Sequence, residues 1–305
     1  MATDGRGAGA GAGFGVWPIL ALTVNAFTWG VSWWPFRQLQ ALGLHALWAT
    51  VIIYALALMA ITLWRPVAWR QLFSIPTLWW LVLAAGTTNA TFNWAVTIGD
   101  VVRVVLLFYL MPLWAVLLAR LLLHEAFTGA ALLRVALALA GAGIVLWPEQ
   151  GLPDGTVFPF PRTLADWLGV LGGFSFALNN VMLRREAHRP EAARALAMFL
   201  GGCLVAAVLA VGLSLHGAAP WPPTPAPGWL AGAVAMGAMF LVGNLSLQYG
   251  ASRLPANVTA VVMLTEVLFA SLSAVALGAG VLSAQVVLGG ALIVGASMLA
   301  TFERR

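Results

Sequence analysis

Charge is what this 305-residue chain has least of. Only 8% of its residues are charged, Lys does not occur at all, and the one cysteine is Cys203. Each shortage excludes something. With 62% hydrophobic residues and a mean hydropathy of +0.94, the chain has too few polar residues to clothe the two soluble domains its length would otherwise suggest. A single cysteine inside an apolar run permits neither an intrachain disulfide nor a cysteine-based metal site. The Gly-rich phosphate loop, the His-Glu-x-x-His zinc pair, the dinucleotide fingerprint and paired Asp clusters are all missing, and His45, His124, His188 and His216 are scattered. The chain therefore reads as a non-enzyme with no cofactor or metal. The net charge of +5 does not point to nucleic acid, because all 15 basic residues are Arg placed between apolar segments, where they orient a chain in a bilayer.

What is abundant is long apolar sequence. A membrane-spanning helix takes about 20 apolar residues. Ten such stretches are predicted, at 16–36, 44–64, 76–97, 101–122, 128–147, 163–183, 192–215, 228–249, 254–277 and 283–302. All are expected to be helices, since lipid offers no partner for unpaired backbone groups. The fold class is thus all-α, a polytopic membrane protein of ten helices. It is organised as an N-terminal tail (1–15), a first half (16–148), a linker (149–162), a second half (163–302) and a C-terminus (303–305). The first apolar stretch has no clear small-residue cleavage site and reads as a retained span. Counted over alternate loops, twelve Arg fall on one side and three, Arg37, Arg103 and Arg162, on the other. Positive charge stays inside, so both termini are expected in the cytoplasm. The Pro-rich connectors at 147–162 and 219–228 then face outside, and Trp pairs such as Trp33 and Trp34, or Trp79 and Trp80, mark the interfaces.

The halves repeat. A shift of 155 positions lays Asn89 over Asn244, Asn93 over Gln248, Trp94 over Tyr249 and Pro112 over Val267; a shift of 147 lays the segment from Ala26 over that from Gly173. Five spans per half force the second copy to enter from the opposite face, giving two inverted five-helix repeats, an arrangement that places a substrate site near midplane between them.

Polar residues inside spans carry the functional signal. Glu266 is the one acid deep in a span; a charge there costs about 2.5–3.5 kcal/mol on insertion scales, so it is expected to face a wet interior. It has three open roles: counter-ion to an amine or other cation, proton carrier, or protonated hydrogen-bond donor. Amides and hydroxyls join it: Asn25 and Thr28, then Asn89, Thr91 and Asn93, then Asn179 and Asn180, then Asn244, Ser246 and Gln248. Each needs a partner away from lipid, and interhelical bonding is the plain alternative to a lining role. The aromatics Trp29, Trp33, Trp94, Phe108, Tyr109 and Tyr249 lie on or beside these positions and offer faces for a ring or a cation, or simply pack. Pro112 removes a backbone hydrogen bond in mid-span, marking a kink or hinge. Asp100 and Arg103 read as a cap and salt-bridge pair, or as an outer gate. Small residues in spans five and ten, from Ala136 and from Gly289, predict close packing of those helices on each other or across a dimer. Glu125 is expected to accept from free amides where span five opens.

The run from Phe108 to Gly129, the segment from Ala26 to Ser32, and the Glu266-containing ninth span resemble the EamA-type ten-helix members of the drug/metabolite transporter superfamily. Two departures stand out: Val267 replaces the Pro that usually follows the Glu, and Ala279 or Gly280 stands where a turn Glu is usual. The resemblance covers residues 16–302 and implies a secondary exporter in a bacterial inner membrane. Within it the chain is similar to YddG-type exporters of aromatic amino acids. The implied activity is alternating-access export of small metabolites, aromatic or other hydrophobic amino acids first. A multidrug exporter of organic cations and a non-transporting scaffold are the alternatives. The expected partners are the substrate, the lipid bilayer and a coupled proton, with the protein a monomer or homodimer.

Overall fold

A computed structural model describes residues 16–124, 129–147, 161–251, 253, 262–263 and 265–302, and every described residue in regular structure is helical. The helices are α1 (Val16–Val31), α2 (Trp33–Ala41), α3 (Ala46–Trp64), α4 (Val67–Ser74), α5 (Leu78–Ile98), α6 (Val101–Phe108), α7 (Met111–Leu123), α8 (Gly129–Leu146), α9 (Leu164–Arg185), α10 (Glu191–Leu215), α11 (Pro227–Ala251), α12 (Thr265–Ala276) and α13 (Ala284–Phe302). Every predicted span holds helix. By length and apolarity Ala46–Trp64, Val101–Leu122, Glu191–Leu215 and Pro227–Leu247 each suffice to cross a membrane, with shorter apolar helix at Val135–Val145, Thr265–Ala276 and Ala284–Ala296. Large apolar side chains stand on the outer flank, Leu63 at 78% exposure and Leu121 at 69%. Water would penalise such a surface and hydrocarbon would not.

Two predicted spans are broken. The first divides at Ser32 into α1 and α2: Pro35 has no N–H for the Val31 carbonyl, and the Ser32 hydroxyl turns back to Trp29 O at 2.8 Å. The fourth divides at Tyr109–Leu110, because Pro112 cannot bond the Phe108 carbonyl. That carbonyl faces α9 and not an open space. It lies against Gly173, where any Cβ would collide with it. The connector after α3 contains the short helix α4, fastened by a bond from Trp69 Nε1 to Thr62 Oγ1 at 3.0 Å.

Helix pairing survives exchange of the halves. α9 packs on α5 and α7 as α1 packs on α11 and α12; α10 packs on α5 as α3 packs on α11; the pairs α3–α10 and α8–α13 map onto themselves. Side chains repeat the relation. Phe27 meets Phe269 edge-on with centroids 5.4 Å apart at 87°, while Phe174 and Trp114, the positions the two shifts equate with them, meet at 5.5 Å and 88°. The predicted small-residue contact falls between α8 and α13 within one chain. A Cβ on Gly141 would come 2.5 Å from Gly289 O, and one on Gly289 would come 2.6 Å from Gly141 O, so backbone touches backbone reciprocally.

Candidate functional site

Where the halves cross lies a cavity of about 390 Å³. The repeat builds its walls in pairs. Asn89 of α5 and Asn244 of α11 both line it, and each anchors its amide on its own helix, with Nδ2 donating to Ala85 O at 2.7 Å and to Phe240 O at 2.9 Å. Phe92 and Leu247 form a second equivalent pair, and Trp29 and Phe176 a third. Trp29 is held flat by Phe240, with centroids 4.6 Å apart and planes at 22°.

One equivalent pair is unlike. Met111, at the start of α7, occupies the position that Glu266 takes in the first turn of α12, and both line the cavity. The break between α6 and α7 presents Tyr109, whose hydroxyl donates to Glu266 Oε2 at 3.4 Å. Gly30 lets α1 pass close beside this turn: a Cβ there would sit 2.9 Å from the Glu266 carbonyl oxygen. Tyr54 of α3 reaches across to donate to Asn89 Oδ1. Asn25 is fully buried and donates through Nδ2 to Gly243 O at 2.8 Å, fixing α1 to α11.

Of the residues singled out from sequence, the structure brings Asn25, Trp29, Asn89, Tyr109, Asn244 and Glu266 to this cavity, along with Asn179, Asn180 and Phe108. Others lie elsewhere. Asn93 is buried and donates to Thr50 Oγ1 at 3.1 Å, an α3–α5 tie; one turn beyond Asn89, it has passed below the cavity wall. Trp94 meets the His45 ring at 5.8 Å. Tyr249 is 41% exposed, with the Arg253 guanidinium 3.9 Å from its ring centre, and so faces outward. The side chains of Gln248 and Pro112, and Glu125 entirely, lie outside the described residues.

Asp100 and Arg103 do not form the side-chain pair expected. Asp100 caps α6, accepting from Arg103 N at 2.8 Å, and its other oxygen accepts from Val281 N at 3.1 Å. The Arg103 side chain turns to Asp166 of α9, donating at 2.7 and 3.1 Å, and to Val145 O at the end of α8 at 2.8 Å. On the same end Arg37 donates to Val96 O at 2.9 Å and to Gly99 O at 2.5 Å, and Trp33 Nε1 donates to Ser273 Oγ at 2.9 Å. This end is therefore tied by polar bonds. At the opposite end Glu186, 3% exposed, accepts from Thr77 Oγ1 at 2.8 Å and from Arg189 Nε at 3.3 Å.

Sequence reasoning did not select Tyr54, Thr88, Phe92, Met111, Phe176, Met198, Phe199 or Met263, all of which line the cavity. Two signals pointed at some of them. The 147 shift sets Phe176 under Trp29 and the 155 shift sets Met111 under Glu266, while Tyr54 is one of only three Tyr in the chain.

Residues 16–147 match the EamA-like transporter family. No curated protein matches the chain. A solved structure described as "Crystal structure of protein" superposes over 93% of this chain and 96% of its own with a TM-score of 0.57 at 18% identity, a likeness of fold that extends through both halves.

Proposed function

The chain belongs through residues 16–147 to the EamA-like transporter family, within the drug/metabolite transporter superfamily, and from this premise we propose an alternating-access secondary carrier for a small amine-bearing metabolite. It is a membrane-embedded transporter; the solute, direction and mechanism are our reading. The observation that carries it is the chamber of about 390 Å³ at the crossing of the halves, within the usual range for small-molecule sites and holding the one deep acid. A scaffold without flux calls for a packed, dry centre instead. Glu266 would contact the amine or a coupled proton, and Asn25, Asn89 and Asn244 would orient the solute. Hydrophobic amino acids and organic cations both bring an amine and an apolar body.

The cycle would be export from a bacterial inner membrane with both termini cytoplasmic, as the Arg distribution supports. In that orientation the Arg103–Asp166 end faces outside and is shut, while the lining residues Asn180, Leu183 and Met198 lie toward the cytoplasmic ends of α9 and α10. Opening outward would then require the Arg103, Arg37 and Trp33 bonds to break as the inverted halves rock, with the α6–α7 break at Pro112 absorbing part of the change.

Counterflow in proteoliposomes, run across amino acids and several organic cations, is the test. At least one amine-bearing solute should exchange, and Glu266→Gln should slow it at least about tenfold, a loss that 1.4 kcal/mol of binding already accounts for. Absence of exchange for every solute, or unchanged flux in the variant at all pH values, rejects the reading.

A further inference from the structure

The hydrogen-bonding groups of the chamber are unbalanced. Asn25 Nδ2, Asn89 Nδ2 and Asn244 Nδ2 each give one of their two N–H groups to a backbone carbonyl, Thr88 Oγ1 donates to Ala84 O at 2.7 Å, and the hydroxyls of Tyr54 and Tyr109 are committed to Asn89 and Glu266. Acceptors are left over. Asn25 Oδ1 and Asn179 Oδ1 are buried with no hydrogen-bond partner, on residues 0% and 3% exposed that both line the cavity. The Nδ2 bond to Gly243 O fixes which end of Asn25 is the free oxygen. Glu266 adds a carboxyl with a single long bond. Among the described residues no Arg, Lys or His lines the chamber, and the N–H groups left over there, on Trp29, Asn179 and Asn180 and the second amide N–H of Asn25, Asn89 and Asn244, are all neutral. A buried acceptor without a donor costs stability that a ligand N–H recovers, whereas a ligand carboxylate would enter beside an acid with no cation to meet it.

Resting on the carrier reading for its assumption that the solute occupies this chamber, we infer that the site selects amines that carry no carboxylate, and selects them through their N–H bonds. The ammonium donates into the acceptor set of Asn25, Asn179 and Glu266. The body of the solute lies among Phe92, Phe108, Phe176 and Phe199, with Met111, Met198 and Met263 filling irregular space. Phenylalanine fits the walls and fails at its carboxylate. A quaternary ammonium fits the charge and fails for want of donors.

Purified protein in detergent, titrated calorimetrically with four compounds that share one phenyl ring, separates these terms. Phenethylamine should bind at least about tenfold more tightly than phenylalanine, and likewise more tightly than its N,N,N-trimethyl derivative; 3-phenylpropionate should give no heat of binding. Glu266→Gln and Asn179→Leu should each weaken phenethylamine by about tenfold or more while leaving phenylpropionate unbound, and either variant suffices if the other does not fold. Equal or tighter binding of phenylalanine, measurable binding of phenylpropionate, equal binding of the quaternary compound, or binding of none of the four overturns the inference. Counterflow with the same compounds keeps the two claims apart. Selective amine binding without flux ends the carrier reading and leaves the site; flux of phenylalanine in preference to phenethylamine ends the amine selectivity and leaves the carrier.

Discussion

Glu266 and Met111 occupy equivalent positions in two halves that otherwise share helix pairing, the edge-on aromatic contacts and the self-bonded Asn89 and Asn244. The scaffold is twofold; its chemistry is not. The ends differ in the same way. Leu39 lies against Gly232 at one end, and at the equivalent place on the other Glu186 accepts from Thr77. Packing geometry tolerates duplication, because close-packed helices need only the same volumes in the same places. A site for an asymmetric solute needs one half to carry what the other omits.

Making the halves alike should have the largest effect. Glu266→Met installs in the second half what the first already has, and counterflow should fall about a hundredfold, as expected when a charge-assisted contact of some 3 kcal/mol is lost; retention of more than a tenth of the wild-type rate would show the acid to be dispensable. Next comes the tied end. Asp166→Ala leaves Arg103, whose side chain is 28% exposed, with its bond to Val145 O, whereas Arg103→Ala leaves Asp166, 1% exposed, without its counter-charge. Breaking such a pair costs about 3–5 kcal/mol when the remaining charge is buried, so Arg103→Ala should lower the melting temperature in detergent more than Asp166→Ala does. The α8–α13 contact offers a symmetric control. Gly141→Val and Gly289→Val should each cost about 1–3 kcal/mol, and by similar amounts, because each glycine meets the other's carbonyl. Unequal costs there would mean that the reciprocity is only approximate. The smallest effect belongs to the amide pair. Asn89→Leu strands the Tyr54 hydroxyl and Asn244→Leu strands no side chain, so the first should be the more destabilising, by about 0.6 kcal/mol, the typical value of an interhelical bond in a membrane.

Most of the fold could be read before any coordinates. Run length gave the helices their windows, and the two shifts make Phe174 the counterpart of Phe27 and Trp114 that of Phe269, an equivalence the structure realises in the matching contacts Phe27–Phe269 and Phe174–Trp114. The site was legible only in part, for geometric reasons. Asn89 and Asn93 share a helix face, yet one turn of rise carries Asn93 past the cavity to Thr50. Trp94 and Tyr249 sit at equivalent sequence positions, each two residues beyond a lining side chain, Phe92 or Leu247, and two residues is about 200° round a helix, which turns both away from the cavity. Spacing alone favours the partner three residues away for Arg103. The chosen partner, Asp166, is 63 residues distant and reachable only once α9 has packed on α6. Aromatic and Met positions such as Phe199 and Met198 carry no mark in the sequence, since a cavity wall and a packed core use the same side chains.

The meeting of Gly141 with Gly289 has a mechanical consequence. Where main chain rests on main chain there are no rotamers to rearrange and no bulk to lift over, so α8 and α13 can change their crossing angle by a few degrees at almost constant contact, while sliding along each other would drive flanking side chains such as Val145 and Ile293 into the opposing helix. That is the behaviour of a pivot: free in tilt, stiff in translation. A seam of this kind would let one bundle swing against the other while holding the membrane-facing flank sealed throughout.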